Sequence, residues 1–285
     1  MNRQGAACLL KRSGAGRCLI LLAFCATFAL ALGAASANAA SYLEVGTFAG
    51  TGPGPGGSGS EDGQLSNPGQ ADVNDATGNL YVADTGNDRV EVFKPTATAG
   101  EYDSQAAVPG ATGLAIDQFD GSVYVSTPTG IGKYDAALAP VAAGWTDPGV
   151  TGALAVDPVS GDLLVADTGA NLVRRFNSDG SADGSFAAER PIDLAANSSG
   201  EIFVVTTSGD IGNYPCGSTS SVERFDGAGS SQGTLVGLDI PGAVAVDPDD
   251  DSIVVADRVN AYFCDGANTP RVVSFDAAGS LEGSV

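Results

Sequence analysis

Three aspartates recur at the same position of a repeated motif, and they are the first candidates for chemistry in this chain. Each follows a short apolar run, and each is followed by an arginine with which it can form an ion pair. The three pairs are Asp84 with Arg89, Asp167 with Arg174, and Asp257 with Arg271. An aspartate at a strand end readily bonds the backbone of the following turn, and this explains its repetition better than catalysis does. The alternative is that these residues bind a cation or a polar ligand on one loop-rich face.

The absence of histidine removes several classes of active site from consideration. The chain contains none, which excludes a Ser-His-Asp triad, a Cys-His pair and any histidine-bound zinc. The densest acidic run, residues 247–251, offers carboxylates of the kind that Ca²⁺ prefers, but it lacks the EF-hand spacing and the distal glutamate. We therefore expect no catalytic residue and no cofactor, with Ca²⁺ as the one candidate ion.

Residues 1–39 have the features of a secretory signal peptide. Four basic residues precede or open an apolar stretch from Cys18 to Leu32, and Ala37-Asn38-Ala39 has the small residues of a cleavage site. We expect cleavage near Ala39 and a secreted or cell-surface protein, with an uncleaved anchor as the alternative. No later apolar run is long enough to cross a bilayer, so no membrane insertion is expected after cleavage.

The charge of the chain narrows its possible partners. Cleavage would remove four of the 13 basic residues and none of the 34 acidic ones, which changes the net charge from −21 to −25. Such a protein repels the phosphate backbone of nucleic acids and anionic membrane surfaces. Nucleic acid is therefore not an expected partner.

Two cysteines lie outside the predicted signal peptide. Cys216 and Cys264 fall in enlarged connections at corresponding places of two neighbouring repeats. In an exported protein, cysteines placed in this way predict a structural disulfide, whereas two free thiols are the alternative.

The chain is built from five repeats of four short strands each. Each repeat opens with an Ala- and Gly-rich strand that ends in an acidic or amide residue, at steps of 42, 40, 40 and 50 residues. The repeats lie near residues 69–110, 111–150, 151–190, 191–240 and 241–285. Four strands in about 40–45 residues predict the blade of a β-propeller, so we expect an all-β fold with residues 40–285 as one propeller domain. A linear solenoid is the alternative architecture.

The segment from Pro68 to Val90, with its Tyr-Val-Ala-Asp-Thr-Gly-Asn-Asp-Arg-Val ending, resembles an NHL repeat. The resemblance covers roughly residues 42–285 and is strongest in the first, third and fifth repeats. It implies a β-propeller, often six-bladed, that serves as a binding platform. Five repeats are visible, so either five blades close with help from a lone strand at Tyr42–Ala49, or a sixth blade is missing or incomplete. A flexible Gly-, Pro- and Ser-rich connector is expected at residues 50–69.

Three functional hypotheses follow. The first is a secreted, non-catalytic propeller that binds protein or glycan partners through its loop-rich face. The second is a metal-dependent hydrolase similar to the lactonase-type propellers, which use carboxylates and amides around the channel. Its candidate residues here are Asp72, Asn74, Asp193 and Asn197. The third is a fragment of a larger cell-surface repeat protein.

Overall fold

A computed structural model describes residues 8–12, 18–22, 59–95, 100–141, 152–208, 219–258 and 271–284. Within the predicted signal peptide, strands β1 (Cys8–Arg12) and β2 (Cys18–Leu22) pair antiparallel. The rest of the described chain forms five antiparallel sheets that follow one another in chain order. The predicted all-β propeller is thereby confirmed, with five blades. No helix in the described part of the chain is long and apolar enough to span a membrane.

The strand bounds of the first two blades are as follows. Blade 1 contains β3 (Ala71–Asn74), β4 (Asn79–Asp84), β5 (Arg89–Pro95) and β6 (Gly100–Ala107). Blade 2 contains β7 (Gly113–Ile116), β8 (Val123–Thr127) and β9 (Gly130–Tyr134). Its fourth strand, predicted from the repeat, is reduced among the described residues to one bridge between Tyr134 and Pro140.

The remaining three blades are complete four-stranded sheets. Blade 3 contains β10 (Leu154–Val156), β11 (Leu163–Asp167), β12 (Leu172–Phe176) and β13 (Ala182–Ala187). Blade 4 contains β14 (Pro191–Ala196), β15 (Ile202–Thr207), β16 (Ser220–Phe225) and β17 (Ser231–Thr234). Blade 5 contains β18 (Ile240–Val246), β19 (Ile253–Arg258), β20 (Arg271–Phe275) and β21 (Leu281–Ser284).

Both faces of the second strands are apolar, and blades 2, 3 and 4 each pack between two neighbouring blades. In β4 the side chains of Leu80 and Val82 lie on one face and that of Tyr81 on the other, following the two-residue period of a strand. Tyr81 packs with Leu114 and Val125 of blade 2 in a buried cluster. Equivalent clusters join blades 2 and 3, blades 3 and 4, and blades 4 and 5. This two-sided burial explains the continuous apolar runs of the second strands.

The turns between first and second strands depend on one buried polar residue per blade. These residues are Asn74, Asp117, Asp157, Asn197 and Asp247, all at most 6% exposed. Each side chain accepts a hydrogen bond from the amide two residues later, which is the geometry of an Asx turn. In the first repeat this role belongs to Asn74, the last residue of β3, and not to Asp75, from which the step of 42 residues to Asp117 is counted.

Candidate functional site

The innermost strands of the five blades line a central cavity. Each of β3, β7, β10, β14 and β18 lies at the edge of its sheet, so alternate N–H and C=O groups point away from the sheet toward the propeller axis. These strands line a cavity of about 580 Å³. The cavity therefore has a wall that is rich in backbone polar groups, and a few side chains are added to it.

Gln70 and Asp193 form a bridge across one end of this cavity. Gln70 Nε2 donates to Leu154 O (3.2 Å) and to Asp193 Oδ1 (2.9 Å). Gln70 Oε1 accepts hydrogen bonds from the amides of Leu114 (3.1 Å) and Leu154 (2.7 Å). Asp193 Oδ2 accepts a further bond from Val244 N at 2.9 Å. Through the Gln70–Asp193 bridge, two side chains connect the inner strands of all five blades.

Asp72 lies on the cavity wall, two residues beyond Gln70 on β3. Its Oδ1 accepts from Val73 N and its Oδ2 from Ile116 N, both at 2.8 Å, so its carboxylate joins blades 1 and 2. Burial raises the pKa of Asp72 to about 7; the two amide hydrogen bonds oppose this rise and the nearby Asp75 carboxylate adds to it. Asp72 therefore changes its charge near neutral pH.

The other end of the cavity is acidic. Asp75, Ser198 and Asp251 contribute to its lining there, and Ser198 Oγ donates to Asp251 Oδ2 at 2.5 Å. Asp251 has a φ of 56° where the corresponding turns of other blades have glycine, a conformation that aspartate tolerates better than most residues. No group of three or more His, Cys, Asp or Glu residues within the described ranges could hold a metal ion.

The first Asp–Arg pair is the centre of a buried polar cluster. Arg89 Nε donates to Asp84 Oδ2 at 2.7 Å, and Arg89 Nη2 lies 3.0 Å from Glu91 Oε1. The side chains of Asp84 and Glu91 are fully buried. The same guanidinium also donates to backbone carbonyls of Ser60, Glu61 and Gln64. Residues 59–66 are thus fixed to blade 1, so the prediction of a flexible connector over residues 50–69 is wrong for this part.

Glu91 is a buried acid that sequence patterning did not single out. Its Oε1 accepts from Gly63 N at 3.1 Å, and its Oε2 has no hydrogen-bond partner in the described part of the structure. Burial raises the pKa of Glu91 to about 7, against the opposing effects of Arg89 and the Gly63 amide. Its strand alternates polar and apolar residues, and this pattern predicts an exposed glutamate and not a buried one.

The other two predicted pairs are also in contact, in more open surroundings. Arg174 Nε lies 2.6 Å from Asp167 Oδ2, and Arg271 Nη2 lies 2.9 Å from Asp257 Oδ2. Asp257 also accepts from the amides of Asp239 and Ile240. The aspartates therefore hold connections between strands, whereas ligand binding at this end of the propeller stays a prediction.

All three pairs lie at the end of the propeller where second strands finish and third strands begin, which we call the insertion face. The two longest connections between second and third strands, residues 208–219 and 259–270, belong to adjacent blades 4 and 5. The first starts from an anchored base, since Ser208 N donates to Thr219 O at 2.9 Å and Thr219 N donates to Ser208 Oγ at 3.1 Å. Cys216 and Cys264 lie in these connections, outside the described residues.

Three of the four residues proposed for a hydrolase line the cavity, namely Asp72, Asp193 and Asn197. Asn74 is not among the lining residues, and the side-chain oxygens of both asparagines hold turns. Gln70 was missed by sequence reasoning. Gln70 could have been noticed by comparing the repeats. It lies four residues before the turn residue of its blade, and blades 2, 3 and 5 have the small residues Gly113, Ala153 and Ala243 at that position.

Comparison with known proteins supports the architecture. No protein-family profile matches the chain, and no curated protein matches it. Among solved structures, the chain is similar to Kuenenia stuttgartiensis hydrazine synthase (15% identity, TM-score 0.56, covering 76% of this chain and 65% of that one). It is also similar to a chain of a nidogen/laminin complex (15%, 0.52, 67% and 72%) and to a streptogramin B lyase (13%, 0.51, 74% and 66%). The chain thus spans about two thirds of the length of these structures. At such identities the likeness shows the β-propeller fold alone, on which enzymes and binding proteins both occur.

Proposed function

We propose that this protein is a secreted, non-catalytic β-propeller that binds a protein or glycan partner through its insertion face. The observation that carries the proposal is that the two longest connections between second and third strands belong to adjacent blades. Both leave the same end of the propeller, and both start from strands whose last residues are held by hydrogen bonds or ion pairs. A rigid scaffold that presents long loops side by side is the usual arrangement of a binding surface.

The contacts of the three recurring aspartates support a structural role for them and not a catalytic one. Asp84, Asp167 and Asp257 each pair with an arginine and accept amide hydrogen bonds from the chain nearby. These groups stabilise the scaffold and are not free to act on a substrate. The predicted signal peptide and the resemblance to NHL repeats support secretion and partner binding. The negative charge favours neutral or basic partners over nucleic acids.

The metal-dependent hydrolase is the second candidate, and Asp72 at the cavity is the observation that favours it. That hypothesis predicts a higher melting temperature in excess Ca²⁺ that EDTA reverses. A ligand at 100 times its dissociation constant adds about 2.7 kcal/mol to the free energy of unfolding. Our proposal predicts no change in either condition. The hypothesis of a fragment from a larger surface protein is compatible with the same binding face.

Shortening the two connections tests the proposal. In one variant, residues 208–219 and 259–270 are each replaced by the four-residue connection Thr168–Asn171 of blade 3. In the control, the turn at residues 276–279 on the opposite face is replaced by residues 177–180 of blade 3. Binding is measured on a glycan array and against the cell-envelope fraction of the producing organism. We expect binding to be lost in the first variant and retained in the control; retention in both, with unchanged melting, would overturn the proposal.

A further inference from the structure

The central cavity has the size of a small-molecule site and is distinct from the insertion face. Its volume of about 580 Å³ falls within the range of ligand pockets, about 300–1,000 Å³. The Gln70–Asp193 bridge crosses the cavity near the insertion face and uses all four hydrogen-bonding positions of the Gln70 amide. A ligand would therefore enter from the opposite end, where the turns between first and second strands lie.

The charges around this cavity have one sign. Asp72, Asp75, Asp193 and Asp251 all contribute to its lining, and no lysine or arginine among the described residues does so. Acidic groups in a narrow cavity with walls of low dielectric constant concentrate the negative potential inside it. The cavity therefore attracts cations and repels anions.

The rest of the wall is apolar. Val73, Ile116, Val156 and Val246 line the cavity together with alanines of β10, β14 and β18. Ligand sites typically combine such an apolar wall with a few well-placed polar groups. A hydrated metal ion would leave this apolar surface without a partner, whereas an organic cation with an apolar body would cover it.

Asp72 is placed to act as the counter-ion. The amides of Val73 and Ile116 each bond one of its oxygens, which fixes the carboxylate plane, and a carboxylate has further lone pairs for another donor. We propose that the central cavity binds a small organic cation with an apolar body, whose ammonium or guanidinium group pairs with Asp72.

The pH dependence of binding follows from the state of Asp72. Its pKa is raised to about 7 by burial, and a cation binds the ionised form more strongly. Affinity for the cation should therefore rise between pH 6 and pH 8. Asp75, Asp193 and Asp251 are the other titratable groups at the cavity.

Titration calorimetry with benzylamine and benzyl alcohol tests this proposal on the full chain. The two probes share an aromatic body and differ in charge. We expect benzylamine and phenylguanidine to bind saturably at pH 8, and benzyl alcohol to bind at least about tenfold more weakly, as expected for the loss of a partly desolvated ion pair. Benzylamine should bind several-fold more weakly at pH 6 than at pH 8.

Two variants locate the site. Asp72→Asn should reduce benzylamine affinity about tenfold, and Ala245→Leu should reduce it by filling the cavity. The control Asp183→Asn, on the exposed outer strand β13, should leave it unchanged. If either cavity variant fails to melt cooperatively, the proposal is still tested by the unsubstituted chain. The test is then whether benzylamine binds more tightly than benzyl alcohol, and more tightly at pH 8 than at pH 6. Absence of binding by both cations, equal binding of benzyl alcohol, or unchanged affinity in a folded Asp72→Asn would overturn the proposal.

Discussion

Arg89 contacts more polar groups than expected for an arginine in a strand that alternates polar and apolar residues. Its guanidinium contacts two buried carboxylates, those of Asp84 and Glu91, and three carbonyls of the segment before blade 1. Arg174, by contrast, has one carboxylate partner, Asp167, and its side chain is 35% exposed. The same pair of residue types therefore differs in energetic importance because the surroundings differ in burial.

Replacing Arg89 should be far more costly than replacing Arg174. Arg89→Ala leaves Asp84 and Glu91 buried without their cation, and breaking a buried pair in this way typically lowers the free energy of unfolding by about 3–5 kcal/mol. Arg174→Ala removes a partly exposed pair worth at most about 1 kcal/mol. Urea denaturation of both variants measures the difference. Equal losses would contradict the assignment of Arg89 as the centre of the cluster.

Asp72 makes the stability of the protein depend on pH. Its folded-state pKa is raised to about 7 from 3.8, so between these values the folded state binds more protons than the unfolded state. The contribution of Asp72 to stability therefore falls as pH rises through this window and is constant above it. Asp72→Asn removes this ionisation, so its effect on the melting temperature should be more favourable at pH 8 than at pH 5, whatever the cost of losing one of the two amide hydrogen bonds. A difference independent of pH would show that Asp72 does not titrate in this range.

At the scale of elements, the segment before blade 1 acts as part of that blade. Leu65 is 5% exposed and packs against Val73, Leu80, Val82 and Phe93. Ser66 N donates to Asp84 Oδ1 at 2.6 Å. An irregular segment thus covers an apolar blade face and is held there by hydrogen bonds to strand residues.

Replacing Leu65 by alanine should show how much this segment stabilises blade 1. Leu65→Ala removes a buried side chain and should lower the free energy of unfolding by about 2–5 kcal/mol. Leu281→Ala, at a side chain that is 55% exposed, should change it by less than about 0.5 kcal/mol. Similar small effects at both sites would mean that residues 59–66 do not stabilise the blade.

Strands were predictable from the sequence where the pattern is local and repeated. Leu163-Leu-Val-Ala-Asp167 identified β11, because a buried strand has an apolar run and a turn residue next to it. The anchoring of residues 59–66 was not predictable, because it depends on Arg89 and Glu91, more than 20 positions away. Composition alone suggested a flexible connector there. The regular spacing of the repeats likewise gave no sign that the fourth strand of blade 2 is reduced, among the described residues, to the bridge between Tyr134 and Pro140.

At the scale of the whole molecule, the Gln70–Asp193 bridge connects blades that are distant in sequence. Gln70 and Asp193 are separated by 123 positions, and Gln70 and Leu154 by 84. Neither periodicity nor motif spacing contains information on contacts across the propeller axis. The sequence therefore indicated the blades but not the residues that join them at the centre.

Gln70→Ala should lower the stability of the propeller by removing the contacts between its inner strands. The substitution leaves the amides of Leu114 and Leu154 without their acceptor in a buried channel, and each unsatisfied buried group costs about 1–3 kcal/mol. We expect a melting temperature several degrees lower. Gln232→Ala, on the exposed strand β17, is the matched control and should melt like the natural chain. A normal melt for Gln70→Ala would show that the bridge is dispensable.

The central claim is that partners bind at the insertion face, and photochemical cross-linking tests it most directly. Benzoylphenylalanine is introduced in place of the exposed Thr219 at the base of one long connection, and separately in place of the exposed Ala228 on the opposite face. Each protein is irradiated with the cell-envelope fraction of the producing organism, and cross-linked species are identified by mass spectrometry. Our account predicts a specific protein or glycan adduct from position 219 and none from position 228. Adducts from position 228 alone would contradict it.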